Sequence, residues 1–280
     1  MKVWVSLLVP LVVLNFAGFA QRAPGYFLIA HRGGIVDSSR AENSLPALEG
    51  AAEHGFDMVE IDLRVTKDGV LIINHDADLK KYYGVDRRVT DMTWPELQVL
   101  KSDRGGSGVL PFEEVLRYCR DKKMGVMIDN KIKGFDSLLF VRVVALLKKY
   151  KLQRTALMIG TDESTDFFTG KVKLSCTRRQ LEDNRSKPGY KAGNYYLFSS
   201  DISKEDVEWA GKQGIMVVGA INEWHYARSA RPEEDAERDI KKLRAAGVRC
   251  YQIDSIYERF FRTSTGRGAV GRNSVTINTQ

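Results

Sequence analysis

The stretch VEIDLRVTKDGVLIINHD, residues 59–76, decides how this chain is read. Side chains alternate faces along a strand, so Glu60 and Asp62 share one face while Val59, Ile61 and Leu63 share the other. Lys67, Asp68 and Gly69 form a hairpin turn signal, Gly69 being free to take positive φ. Folding back from that turn lays His75 beside residues 60–62. Two like charges this close are unfavourable without a counter-charge, and a divalent cation is the simplest one. Oxygen-only ligands suit Mg²⁺, Ca²⁺ or Mn²⁺ better than zinc. The bland alternative is a solvated acid pair on a half-exposed strand, and the rest of the chain decides between the two.

Working outward, short apolar runs alternate with amphipathic stretches. Residues 26–31, 57–65, 70–75, 126–131, 155–160, 172–176, 194–200, 214–222 and 248–254 read as strands. Residues 44–55, 110–125, 136–150, 203–213 and 232–246 read as helices, with a short one opened by the Thr93/Glu96 capping-box spacing. Such alternation implies a parallel sheet, and this many units in one domain imply a closed (β/α)₈ TIM barrel. An open doubly wound sheet is the alternative, weakened because no G-x-G-x-x-G follows a strand. Residues 76–109, after the 57–65/70–75 hairpin, read as a small insertion over the barrel mouth.

The chain has 280 residues, a length that suits one barrel. Residues 1–20 combine Lys2, an apolar run and small residues at Gly18 and Ala20, the pattern of a secretory signal peptide cut after Ala20, or else of an uncleaved anchor. The protein is therefore expected to be exported, periplasmic or secreted, with a barrel over 21–262 and a polar, Gly-rich, loosely ordered tail over 263–280. The formal charge of +7 favours anionic partners such as phosphates or acidic lipid headgroups. No long basic run or aromatic-basic interleaving marks a nucleic-acid binder. Three sparse cysteines exclude a disulfide framework.

In such a barrel the chemistry sits at the C-terminal ends of the strands. The first strand ends in His31, Arg32, Gly33 and Gly34. The second carries Glu60 and Asp62, the hairpin return carries His75, and strand 126–131 ends with Asp129 and Lys131 on one face. Metal-assisted phosphodiester cleavage needs this inventory. Glu60, Asp62 and Asp129 hold a cation, which with Arg32 and Lys131 neutralises the phosphate. His31 and His75 supply a general acid and a general base, exchanging roles across a two-step reaction.

The segments IAHRG, AENSLPAL, DMVEIDLRVTKDGVLIINHD, VTDMTWPELQVL and LPFEEVL, in that order, resemble the glycerophosphodiester phosphodiesterase family. The match is dense over 28–131 and thinner over 132–254, where the strand-helix rhythm and a terminal QID fit. The resemblance implies that His31 and His75 are the acid/base pair, that Glu60 and Asp62 bind metal, and that Arg32, Glu42 and Asn43 shape the phosphate site. It also implies that the insertion covers the glycerol end of the substrate. Three departures stand out. Asp129-Asn130-Lys131 replaces the family's Glu-x-Lys, and here the chain is similar to sphingomyelinase D relatives, which use Asp. IGTD (159–162) stands where the family has Ser-Phe, and GAIN (219–222) lacks the family's Trp, for which Trp224 is a nearby substitute.

The bland readings differ by residue. Glu42 and Asn43 can simply precede and cap the helix after the first strand. His54 sits at a helix end, where a cation is favoured, and His225 reads as a loop residue. Asp254 either lines the mouth or caps the last helix. The expected activity is hydrolysis of glycerophosphodiesters to glycerol 3-phosphate and an alcohol, with Mg²⁺ or Ca²⁺. The alternatives are a lysophospholipase D or sphingomyelinase D-like cleavage of lipids, and a catalytically silent phospholipid-binding barrel. A pure binder needs no proton-transfer pair, which weighs against the last.

Overall fold

A computed structural model of the chain describes residues 25–262. The leader at 1–20 and the tail at 263–280 fall outside the described residues. Eight parallel strands form the frame: β1 (Phe27–Ala30), β2 (Met58–Val65), β3 (Gly125–Asn130), β4 (Leu157–Ile159), β5 (Lys173–Cys176), β6 (Tyr195–Ser199), β7 (Met216–Ile221) and β8 (Cys250–Ile253). Each pairs with the next, and β1 pairs with both β8 (Ile29 opposite Gln252) and β2 (Ala30 opposite Val59), so the sheet closes into a (β/α)₈ barrel. Helices α1 (Leu45–Glu53), α2 (Phe112–Lys122), α3 (Ser137–Lys149), α4 (Asp162–Phe168), α5 (Arg178–Arg185), α6 (Lys204–Lys212) and α7 (Pro232–Ala246) surround it.

Strands in a closed parallel sheet are covered on both faces and need apolar residues on both. Ile29, Met58, Met127, Leu157, Tyr196, Val218 and Cys250 fill the barrel interior. The alternate residues, such as Leu28, Ile61 and Ile128, pack outward against the helices. All three cysteines are buried and free. Among the described residues no helix is long and apolar enough to cross a membrane.

The hairpin return differs from a barrel strand. Leu71–Ile73 pairs antiparallel with the far end of β2 and with Leu110–Pro111, outside the closed sheet. Residues 76–109 then form a cap with its own small core of Leu79, Val89, Met92 and Leu97, and a two-stranded sheet of Asp78–Leu79 and Val85–Arg88. The expected helix at 94–97 is present with its Thr93/Glu96 capping box. Helices α4 and α5 are additional to the sequence reading. The first is short, and the second buries only Leu181, so neither shows an apolar stripe.

Candidate active site

The turn after β1 sets the mouth. His31–Gly33 is one 3₁₀ turn in which Arg32 adopts a left-handed conformation (φ 53°, ψ 41°). That turn directs the Arg32 backbone N–H to Glu60 Oε2 at 2.8 Å, so the first strand end is tied to the second. The following Gly34 (φ 137°) allows α1 to approach: a Cβ there would lie 2.0 Å from the Ala47 carbonyl oxygen. Ser44 caps α1 by accepting from the Ala47 N–H, and Pro46 occupies its first turn.

Ladder register brings the acids together. Asp62 and Asp129 are paired across β2 and β3, and Glu60 lies two residues earlier on the same face of β2. The three carboxylates offer oxygens within 4.8 Å of one another. Glu60 and Asp62 are almost fully buried. Burial, followed by the charge of Asp62, pushes the Glu60 carboxyl up to about 8. Burial also raises Asp129, partly offset by Lys131. Lys131 Nζ lies 2.5 Å from Asp129 Oδ2 and 3.4 Å from Asp62 Oδ1. Asn43, itself left-handed (φ 53°), clamps Asp62 from both sides. Its Nδ2 donates to Asp62 Oδ2 at 2.8 Å, and its Oδ1 accepts from the Asp62 N–H at 3.2 Å.

The two imidazoles differ in environment. His31 Nδ1 lies 2.6 Å from Asp254 Oδ1, with the Asn222 amide 2.8 Å from the same nitrogen. His31 Nε2 is 3.8 Å from Glu60 Oε2. Burial lowers the His31 pKa, but the Asp254 hydrogen bond and the Glu60 charge outweigh it, so the net shift is upward. His75 Nδ1 lies 2.8 Å from Asp76 Oδ1, and its Nε2 is 3.3 Å from Arg32 Nη2. Asp76 thus stands at one ring nitrogen of His75 and the Arg32 guanidinium at the other. Arg64 holds the His75 carbonyl through Nη2 at 2.6 Å, which fixes the return of the hairpin.

Arg32 Nη1 donates to Glu42 Oε2 at 2.8 Å, and Lys81 of the cap reaches the same oxygen at 3.0 Å. Arg32 Nε is buried and has no hydrogen-bond partner. Glu42, His75 and Asp76 form a second group able to offer ligand atoms. With Glu42 already carrying two cationic side chains, that group is poorly suited to a metal.

Two recesses open from this centre. One, of about 250 Å³, runs under the cap between Arg32, Lys81, Tyr82, Arg104 and Trp224. The other, of about 340 Å³, runs from His31, Glu60 and Asp129 to Ile159, Phe198 and Trp224. A larger recess of about 600 Å³, lined by Glu49, Phe56, Tyr118 and Lys123 among others, lies at the opposite end of the barrel and touches none of these groups.

All nine residues singled out in the sequence therefore meet at one mouth. Asp254, Asn222, Asp76 and Lys81 join them without having been assigned there; Asp254 faces the mouth. The QID ending of β8 was its only signal. His54 is instead bound to Glu258, 2.7 Å from Nδ1, away from the site. His225 lies on the exposed short helix Glu223–Tyr226 and lines the second recess. Trp224, 67% exposed, stands at the rim between the two recesses.

The model of the glycerophosphoryl diester phosphodiesterase family matches residues 31–252. Lysophospholipase D GDPD1 of Mus musculus is 32% identical over 149 residues, 47% of this chain and 45% of that protein. The chain thus spans about half the length of the curated relatives it matches. A glycerophosphoryl diester phosphodiesterase structure from Parabacteroides distasonis superposes with TM-score 0.67 at 22% identity, covering 89% of this chain and 92% of that one. A phosphodiesterase from Oleispira antarctica, solved with the product sn-glycerol-3-phosphate, superposes with TM-score 0.61 at 19% identity over 81% and 92% of the two chains. At these identities the structures speak for the fold.

Proposed function

Because the chain belongs to the glycerophosphoryl diester phosphodiesterase family, we propose that it hydrolyses glycerophosphodiesters to glycerol 3-phosphate and an alcohol with the aid of a divalent cation. The observation that carries the reading is the pair of imidazoles at one carboxylate cluster, each with Nδ1 against an acid and Nε2 toward the mouth. A neighbour solved with sn-glycerol-3-phosphate supports the product class.

The donor set fits a hard cation. Two buried carboxylates and a half-buried third, with oxygens within 4.8 Å of one another, are mutually repulsive, and the raised Glu60 and Asp129 argue that Lys131 alone does not relieve them. Glu60, Asp62 and Asp129 would hold Mg²⁺ or Ca²⁺. When bound, the cation supplies charge stabilisation for the phosphate oxygens.

The chain's own groups do the rest. Arg32 offers its free Nε–H, and Lys131 its ammonium, to the phosphate. His75, with Nδ1 against Asp76, takes the proton from the attacking hydroxyl at Nε2. His31, its pKa raised by Asp254 and Glu60, gives the Nε2 proton to the leaving oxygen. If the glycerol 2-hydroxyl attacks, a cyclic phosphate forms and the histidines exchange roles as water opens it. If water attacks, one step suffices. The 340 Å³ recess favours a lysolipid as a second substrate, because Ile159, Phe198 and Trp224 give it apolar walls. The basic-apolar leader supports export.

The test is release of glycerol 3-phosphate and free headgroup from glycerophosphocholine, glycerophosphoethanolamine and a lysophospholipid, with Mg²⁺, Ca²⁺ or a chelator. Chelator-sensitive release that His31→Ala and His75→Ala each abolish is the expected result. No turnover on any of them returns the weight to a binding protein.

A further inference from the structure

The two ends of the barrel are charged differently. At the mouth, acids and bases are intermixed and paired: Arg32 and Lys81 with Glu42, Lys131 with Asp129, Lys80 with Asp86, Arg87 with Glu96. At the opposite end, the segments that lead into the strands carry Lys123, Lys151, Arg154, Lys171, Lys187, Lys191 and Arg249 against one acid, Asp57. All seven are exposed. Among the described residues none of them forms an ion pair. In the adjoining last helical turns Asp121 pairs with Arg120 and Glu182 with Arg178, while Glu53, beside Lys122 and Lys123, and Asp183 add two further acids, so the end stays net basic.

Cations near helix C-termini are expected from the helix dipole. That effect fades within the last turn and does not account for Arg154, Lys171 or Lys191, which lie beyond it. Nor is the face uniformly convex. A recess of about 300 Å³ is lined by Arg154, Lys171 and Lys173, the Gln153 and Asn194 amides, and Gly170. Gln153 Nε2 is engaged with the Lys171 carbonyl at 3.0 Å, which leaves Arg154, Lys171, Lys173 and the Asn194 amide, beside Gly170 and Gly193, as the groups that recognise a phosphate. Like charges held together unpaired repel, and that repulsion is relieved when an anionic surface covers them.

We propose that this end of the barrel docks on a bilayer containing anionic phospholipids, with the Arg154/Lys171/Lys173 recess taking a headgroup phosphate. The spread of cations around the whole ring matches a flat charged surface, each basic residue adding to the attraction. Tyr26, just before β1, packs against Phe261 at 5.6 Å between ring centroids, beneath Arg249. Docked this way, the mouth faces away from the lipid, open to water-soluble diesters. The surface is independent of the catalytic reading.

Sedimentation of the full chain with vesicles of phosphatidylcholine, alone or with added phosphatidylglycerol, tests this. Binding confined to the anionic vesicles and weakened by salt is expected. The triple variant Arg154→Gln, Lys171→Gln, Lys191→Gln is expected to partition about 100-fold less, and the corresponding Glu variant less still. Melting temperatures equal to the parent's certify the fold, and the Gln set serves if the Glu set does not fold. Equal binding to neutral vesicles, or no loss in a folded variant, overturns the proposal. So does DNA that displaces the protein from vesicles at matched charge.

Discussion

His31 and Asp254, separated by 223 positions in sequence, are joined at 2.6 Å between Nδ1 and Oδ1, linking the turn after the first barrel strand to the end of the last. The carboxylate fixes the ring and its tautomer, leaving Nε2 toward the mouth. It also raises the imidazole pKa against the opposing effect of burial.

Asp254→Asn is therefore expected to lower the His31 pKa and turnover by at least about 100-fold. An imidazole pKa raised on folding contributes stability below 6.5, which is lost as pH rises through the raised value. The variant should thus lose most stability in acid. NMR titration of the imidazole and melting curves across pH measure both. An unmoved His31 titration refutes the assignment.

Glu60 shifts the other way. Its carboxyl, raised from 4.5 to about 8 by burial and Asp62, favours the folded state while protonated. In chelated protein, stability should fall as pH climbs from 4.5 toward about 8. Added Mg²⁺ or Ca²⁺ should raise the melting temperature more at the alkaline end of that window than at its acid end. Asp129→Ala should abolish the difference, as read by calorimetry.

Arg32 keeps its charge in Arg32→Lys but loses the planar fork that spans Glu42, His75 and the mouth. The expected loss in kcat/KM is about 100-fold, with the fold retained. Activity close to the parent's would show that charge alone suffices.

Gly34→Ala drives a methyl into the Ala47 carbonyl at a backbone angle that only glycine tolerates well. It should cost about 3 kcal/mol or more, or prevent folding. Gly84→Ala, also at positive φ but with nothing within 4 Å of the new Cβ, should cost about 1 kcal/mol. Denaturant melts of the two variants give the comparison.

Trp224→Ala should leave the melting temperature unchanged, since the ring is mostly exposed. It should alter the ratio of KM values for a lysolipid and glycerophosphocholine. A parallel change in both would place the ring outside the substrate path.

The centre of this site was legible because its residues obey local rules. Glu60 and Asp62 follow the two-residue period of a strand. His75 follows from a turn marked by Gly69, and Asp129 from the next strand end. The support around it was not legible in the same way. No local pattern reports that Asp254 reaches His31, or that Lys81, in an irregular cap, reaches Glu42. Those contacts depend on how strands far apart in sequence close around the barrel. The helices at 162–168 and 178–185 were missed because they bury so little. Yet Thr177 and Gln180 have the capping-box spacing, and that signal was available for α5.

Closure of the sheet by β1 on β8 has a consequence for synthesis. A nascent chain that ends before residue 250 contains both imidazoles and all three carboxylates, yet its first strand has no eighth strand beside it. His31 then swings without its carboxylate, and the Asn222 side chain has lost Gln252. All these reacting groups lie between residues 31 and 131, but the contact that orients His31 forms only when the strand ending at residue 253 has closed on the first.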